Sequence, residues 1–164
     1  MATTVHTSVK TKSRLRRWTP VVLWAVLISI FSTHYFGNDQ TGHVILKILA
    51  WIMPGAKLHT LNLLHHIIRK CAHVFEYFVF SMLLIHALRS GHPTAPRWML
   101  AAIAIAIVGS FACLDEFHQV FVPGRTPAVT DVLLDTASGV LAQSFAALIG
   151  TDEAEEVAEN SEVA

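Results

Sequence analysis

Charged residues are scarce in this chain. Only 15% of its 164 residues are charged, 53% are hydrophobic, and the mean hydropathy is +0.50. Soluble domains carry about 25% charged residues, so this composition argues against a water-soluble enzyme and favours an integral membrane protein. At this length we expect one domain and no nucleic-acid partner.

Cysteine is scarce as well. The two cysteines, Cys71 and Cys113, both lie in apolar stretches. Their number and placement exclude a disulfide framework of the secreted type. We interpret both as small hydrophobic packing residues.

The formal net charge of zero conceals an uneven distribution. Six of the twelve acidic residues lie in residues 151–164, so residues 1–150 carry twelve basic residues against six acidic ones. We predict a disordered acidic tail over 151–164. We also predict a basic cytoplasmic segment over 1–17 and a transmembrane domain over 18–150.

Four apolar stretches are long enough, or nearly so, for the roughly 20 residues that a helix needs to cross a bilayer. They are residues 18–36, 67–88, 97–117 and 128–149. A fifth stretch, residues 44–53, is too short and ends at Pro54-Gly55, which predicts an interfacial or re-entrant helix. The expected fold is an all-α membrane bundle of about four transmembrane helices plus this short helix.

The distribution of Lys and Arg predicts that both termini are cytoplasmic. One side of the four-span path carries seven basic residues, which are Lys10, Lys12, Arg14, Arg16, Arg17, Arg89 and Arg97. The other side carries five, which are Lys47, Lys57, Arg69, Lys70 and Arg125. The expected location is the cell inner (cytoplasmic) membrane, with multiple passes.

In this topology the ionisable residues meet at one depth near the extracytoplasmic face. Five of the six acidic residues outside the tail lie there, namely Glu76, Asp115, Glu116, Asp131 and Asp135. Because charged side chains inside a membrane are costly, such a cluster indicates a functional site.

The second span carries Arg69, His73, Glu76 and Tyr77 at spacings of three and four, which places them on one helix face with Lys70 at its edge. An ionised Glu76 needs a cationic partner at this depth, and His73 and Arg69 are the nearest candidates. Alternatively, Arg69 and Lys70 are snorkelling anchors, and His73 and Glu76 hydrogen-bond between helices.

The third span ends in Asp115, His118 and Gln119 on one face, and we expect Glu116 to point elsewhere, toward water. The alternative is that these residues form a polar helix end at the membrane interface. The Pro123-Gly124 pair then suits a type II turn. This turn would present Arg125, which can bind a phosphate or pair with an acidic residue of the cluster.

The fourth span carries Asp131, Asp135 and Gly139 at intervals of four, which form one stripe. Gly139 would let another helix approach closely. Asp131 also suits a helix start, whereas Asp135 lies one turn deeper.

Histidine is abundant, with ten residues. His65, His66, His73 and His118 could approach one another, but no fixed Cys or His spacing accompanies them, so we predict no metal site. The sequence identifies no cofactor.

Four blocks together resemble the VanZ-like family of bacterial membrane proteins. They are FSTHYFG at 31–37, RKCAHVFEY at 69–77, DEFHQVFVPGR at 115–125 and DVLLDTASG at 131–139. The resemblance covers roughly residues 20–150 and implies a cell-envelope protein linked to low-level teicoplanin resistance. The matching positions are Lys70, His73, Glu76, Tyr77, Asp115, Glu116, Gln119, Pro123, Gly124, Arg125, Asp131, Asp135 and Gly139. Many relatives carry Asn where this chain has Asp135.

Three functions fit these residues. The first is a pocket that binds or modifies an anionic envelope lipid or lipid-linked precursor. There His73, Glu76 and Asp115 are the catalytic candidates. The ligand-binding candidates are Arg69, Lys70, Tyr77, Glu116, Gln119, Arg125, Asp131 and Asp135, with Pro123, Gly124 and Gly139 as structural positions. The second is a structural protein whose polar cluster fixes helix packing, and the third is a small proton-coupled transporter.

Overall fold

Five α-helices account for most of the described chain. The computed structural model describes the backbone of residues 2–33, 41–122 and 127–162, and the side chains of 15–33, 42–122 and 127–150. The helices are α1 (Ala2–Phe31), α2 (Thr41–Ile52), α3 (Leu58–Gly91), α4 (Arg97–Gln119) and α5 (Val129–Glu162). The described backbone contains no β-strand, and the all-α prediction is confirmed.

Three of these helices are long and apolar enough to cross a membrane. They are α3, α4 and the Val129–Gly150 part of α5. The predicted short helix is α2, whose 12 residues cannot span a bilayer. The predicted first span, residues 18–36, runs past the end of α1 into residues outside the described part of the chain.

Helices extend beyond the apolar stretches that predicted them. Helix α3 begins at Leu58, well before the predicted residue 67, because the helix restarts directly after the Pro54-Gly55 turn. Hydropathy marks only the part of a helix that suits the bilayer. Helix α4 begins directly after Pro96 and ends at Gln119, close to the predicted bounds.

Both terminal segments also belong to helices. The backbone of α5 continues to Glu162, where we expected a disordered tail, and α1 includes most of the basic amino-terminal segment. The tail is rich in Ala and Glu, which have high helix propensity. Extending an existing helix also avoids the cost of nucleating a new one.

Helices α3, α4 and α5 pack against one another, and α1 and α2 pack against α3. Helix α4 contributes a buried stripe of small and medium side chains, Leu100, Ala104, Val108 and Ala112. A Cβ atom on Gly139 would lie 2.8 Å from Val108 Cγ1, so the contact between α4 and α5 requires glycine there. The predicted close approach at Gly139 is confirmed.

Large apolar side chains cover much of the outer surface of the bundle, including Phe75, Phe117, Phe121 and Leu141. Such a surface suits a hydrocarbon environment. Cys71 and Cys113 lie exposed on the outside of the bundle, so their interpretation as packing residues is wrong. Hydropathy alone cannot distinguish the lipid-facing side of a helix from its protein-facing side, because both environments are apolar.

Three arginines gather at one end of the bundle, which we call the arginine end. Arg17 donates to the carbonyl of Ser90 near the end of α3, and Arg97 donates to the carbonyl of Gly150 at 2.9 Å. The guanidinium of Arg89 lies 3.3 Å from where a Cβ on Gly150 would be. Arg17 and Arg89 lie at the carboxyl end of α3, where cations complement the helix dipole.

Candidate functional site

The opposite end of the bundle, which we call the site end, joins the first half of α3, the last turns of α4 and the first turns of α5. Tyr77 is fully buried there, with its ring 6.3 Å from that of Phe111. Its hydroxyl lies within electrostatic interaction range of four carboxyl groups, those of Glu76, Asp115, Glu116 and Asp135. The structure therefore brings these predicted residues together around Tyr77.

Asp115 links α1 to α4. Ser32 Oγ donates to Asp115 Oδ2 at 2.7 Å, and Gln119 Nε2 donates to the same oxygen at 3.2 Å. Asp115 and Gln119 share a face of α4, as their spacing predicts. Sequence reasoning missed Ser32, although it lies inside the first of the four blocks of the family resemblance.

Glu116 is buried, with 7% of its surface exposed, and its Oε2 accepts a hydrogen bond from the backbone N–H of Ala128 at 2.8 Å. The expectation that Glu116 faces water is wrong. The first N–H groups of a helix have no partner within that helix. Glu116 supplies an acceptor immediately before α5 begins, which the spacing within α4 cannot reveal.

Two cross-helix pairs connect α3 to α5. Lys70 Nζ forms an ion pair with Asp131 Oδ1, and His73 Nδ1 lies 3.6 Å from Asp135 Oδ2. The second distance is too long for a hydrogen bond but short enough for electrostatic attraction. We expected Glu76 to pair with His73 or Arg69. Glu76 does lie within electrostatic range of His73, and the imidazole also lies close to a carboxylate of the facing helix, that of Asp135.

Several buried polar atoms at the site end have no hydrogen-bond partner within the described part of the chain. They are His73 Nδ1, Tyr77 Oη, Gln119 Oε1 and Asp135 Oδ1. Tyr77, Gln119 and Asp135 each expose 1% of their surface or less. Leaving one such group unsatisfied costs about 1–3 kcal/mol. Native proteins rarely retain several together without a purpose.

Charge is also distributed unevenly within the site. Asp115, Glu116 and Asp135 are buried, whereas the side chain of Lys70 is 53% exposed and Arg69 is half-buried. The described interior is therefore acidic, and the described cations lie at its rim.

A groove of about 400 Å³ reaches Asp115 from the outer surface between α1 and α4. Its walls are mainly apolar and include Val26, Ile30, Phe111 and Leu114, with His118 beside Asp115. An apolar side chain or hydrocarbon chain suits these walls, and the carboxyl group of Asp115 offers a polar end.

Polar contacts continue one turn deeper than predicted. Gln143 Nε2 donates to Ser81 Oγ at 2.7 Å, and Ser81 Oγ donates to the carbonyl of Gly139 at 3.1 Å. Sequence reasoning missed Ser81 and Gln143. Ser81 follows Tyr77 by four residues and Gln143 follows Gly139 by four, so extending the predicted stripes would have found both.

The remaining predictions concern the turn and the histidines. Pro123, Gly124 and Arg125 lie outside the described residues. The rings of His65 and His66 are 5.9 Å apart. Among the residues that the structure describes, no group of three or more His, Cys, Asp or Glu is arranged to hold a metal ion.

Comparison with known proteins identifies the family. The family model described as VanZ/LLP1 matches residues 17–150, which include all five helices in whole or in part. Searches of curated proteins and of solved structures found no match. The matched range contains every residue of the site end, in agreement with the resemblance of the four blocks. This membrane protein belongs to the VanZ/LLP1 family.

Proposed function

We propose that this chain is a four-span protein of the bacterial cytoplasmic membrane that binds an envelope lipid or lipid-linked precursor. The ligand would occupy the polar pocket at the site end, near the extracytoplasmic face. The observation that carries this proposal is the group of buried polar atoms without partners around Tyr77. Because a ligand could satisfy them, their cost to stability has a functional explanation.

The contacts of α1 support four spans rather than three. Arg17 contacts Ser90 at the arginine end, and Ser32 contacts Asp115 at the site end. Ser32 follows Arg17 by fifteen positions, which corresponds to roughly 22 Å of helix at about 1.5 Å per residue. Helix α1 thus accompanies α3 and α4 from one end of the bundle to the other. The gathered arginines support a cytoplasmic location for that end.

The rim and the interior would have different roles in binding. An anionic group of the ligand, such as a phosphate, would contact Arg69 and Lys70 at the rim. The apolar chain would lie in the groove between α1 and α4. Catalysis is a further hypothesis, in which His73 or Asp115 transfers a proton. The position of Asp135 beside His73 supports it, because a carboxylate can orient and stabilise a protonated imidazole.

A structural role is the second candidate, and specific contacts favour it. Asp115 and Glu116 accept hydrogen bonds that connect α1 to α4 and α4 to the start of α5. If these contacts were the only purpose of the cluster, replacing its residues would lower the amount of folded protein. It would not change any binding property of the protein that remains folded.

Retention of native lipid distinguishes the two candidates. The full chain is purified in mild detergent as wild type, His73→Ala, Asp115→Asn and Ser138→Ala, and bound lipid per folded protein is measured by mass spectrometry. Ser138 is the control, because its buried hydroxyl donates within α5 to Leu134. We expect the first two variants to lose most of the retained lipid and Ser138→Ala to keep it.

Equal retention by all four proteins, with folded amounts falling in step with any phenotype, would contradict the proposal. The same variants test the link to teicoplanin resistance that the family resemblance implies. In cells that express the wild type we expect reduced teicoplanin sensitivity, which His73→Ala abolishes while its abundance stays normal.

A further inference from the structure

We propose that the buried part of the site takes a primary ammonium group carried on an apolar chain. This inference rests on the proposed function and names the chemistry of the ligand's polar head. It arises from the hydrogen-bonding capacity of the buried atoms, from the sign of the buried charge, and from a groove lined by Asp115, the residue to which Gln119 is hydrogen-bonded.

Three of the four unpartnered buried atoms can accept a hydrogen bond, and the fourth, His73 Nδ1, donates or accepts according to its tautomer. The amide nitrogen of Gln119 already donates to Asp115, so its unpartnered atom is the oxygen, which can only accept. An ionised Asp135 also offers only an acceptor at Oδ1, and the Tyr77 hydroxyl can accept as well. A phosphate would add further acceptors to this set. An ammonium group supplies three N–H donors and no acceptor.

The sign of the buried charge favours the same group. Asp115, Glu116 and Asp135 are buried near one another, and each lies within electrostatic range of Tyr77. Carboxylates in an apolar interior are stabilised by a nearby cation. Among the described residues, His73 lies beside Asp135 and the exposed ammonium of Lys70 is paired with Asp131 at the rim, so neither forms an ion pair with Asp115 or Glu116.

The groove between α1 and α4 gives an amphiphile access to the site. The groove between α1 and α4 ends at Asp115, whose Oδ2 already accepts from Ser32 and Gln119. An amphiphile in this groove would keep its chain against Val26, Ile30 and Leu114 while its head reaches the carboxyl group. The distribution of polar and apolar groups along the groove therefore matches an amine at the end of a hydrocarbon chain.

Ligands of equal chain length but different heads test the proposal. The purified full chain in maltoside detergent is titrated calorimetrically with dodecylamine, dodecyltrimethylammonium, dodecanol and dodecanoate. Dodecyltrimethylammonium has the charge without N–H donors, and dodecanol has a donor without the charge. We expect dodecylamine to bind at least about tenfold more tightly than each of the others, since charge-assisted hydrogen bonds are the strong ones.

A titration with a water-soluble amine distinguishes a lipid from a small amine as the source of the ammonium group. Ethylamine carries the same head without the chain, and we expect it to bind far more weakly than dodecylamine. If ethylamine binds as tightly, the groove does not hold a chain and the amphiphile part of the proposal is wrong.

Variants locate the binding. Tyr77→Phe removes only a hydroxyl that has no partner within the described residues, so it should fold normally. Asp135→Asn keeps the shape and removes the charge. We expect both to reduce the preference for dodecylamine by about tenfold, and Ser138→Ala to preserve it.

The two proposals fail in different ways. If all four ligands bind equally in the wild type, or if the variants keep the full preference, the ammonium proposal is overturned while lipid binding stands. If dodecanoate binds best, the interior takes an anion instead. If no amphiphile binds and native lipid is not retained either, the proposed function itself is overturned.

Discussion

At the arginine end, Arg17 and Arg97 donate to backbone carbonyls that belong to α3 and α5. At the site end, polar atoms of Tyr77, Gln119 and Asp135 are more deeply buried and have no hydrogen-bond partner within the described residues. One end therefore uses its cations to satisfy backbone carbonyls, whereas the other, in the described part of the chain, keeps hydrogen-bonding capacity unused at a cost to stability. The comparison separates charge that stabilises the fold from charge that is available to a ligand.

The largest expected effect comes from removing the carboxyl group that joins α1 to α4. Asp115→Ala leaves the Ser32 hydroxyl and the Gln119 amide without their acceptor, and we expect the free energy of unfolding to fall by about 2–3 kcal/mol. Arg97→Ala, at the arginine end, should cost less than about 1 kcal/mol because it removes one part-buried hydrogen bond to a carbonyl within α5. Unfolding by SDS, followed by circular dichroism, measures both. Equal losses of stability in Asp115→Ala and Arg97→Ala would contradict the proposed difference between the two ends.

The next largest expected difference in stability is between alanine variants of two glycines in α5. Gly139→Ala places a Cβ 2.8 Å from Val108 Cγ1, which is a stiff branched side chain, so we expect a loss of about 1–2 kcal/mol. Gly150→Ala places its Cβ 2.9 Å from Arg97 Nη1, the far end of a flexible side chain that can move. That variant should change stability by less than about 1 kcal/mol. The same SDS titration would show that α4 and α5 are packed more tightly at Gly139 than at Gly150, and a greater loss of stability at Gly150 would contradict this.

The smallest expected effect is a gain in stability rather than a loss. Tyr77→Phe removes a buried hydroxyl without a hydrogen-bond partner among the described residues, so we expect the ligand-free protein to gain about 1 kcal/mol. A gain in stability together with weaker ligand binding is typical of a functional position. A loss of stability would mean that the hydroxyl has a structural partner.

Much of this architecture could be predicted from apolar length and helical spacing. The positions of α2, α4 and the apolar part of α5, the shared face of Asp115 and Gln119, and the close approach at Gly139 all follow from contacts within one helix or from residue size. These features depend on local geometry, which the sequence encodes directly.

Contacts between helices were harder to predict. The proximity of His73 to Asp135, and the bond between Ser32 and Asp115, depend on how far one helix is shifted along another. Spacing within a helix contains no information about that shift. The burial of Glu116 likewise depends on the path of the connection to α5, since its partner is the backbone of Ala128.

The hydrogen bond between Ser32 and Asp115 has a consequence for biogenesis. Its two residues are 83 positions apart, and chains are synthesised from the amino terminus. Ser32 is therefore made, directly after α1, well before the ribosome reaches Asp115. During that interval α1 can pack against α3, but the wall of the groove formed by α4 does not yet exist. A chain that stops before α4 would therefore lack both the acceptor of the Ser32 hydroxyl and one wall of the groove.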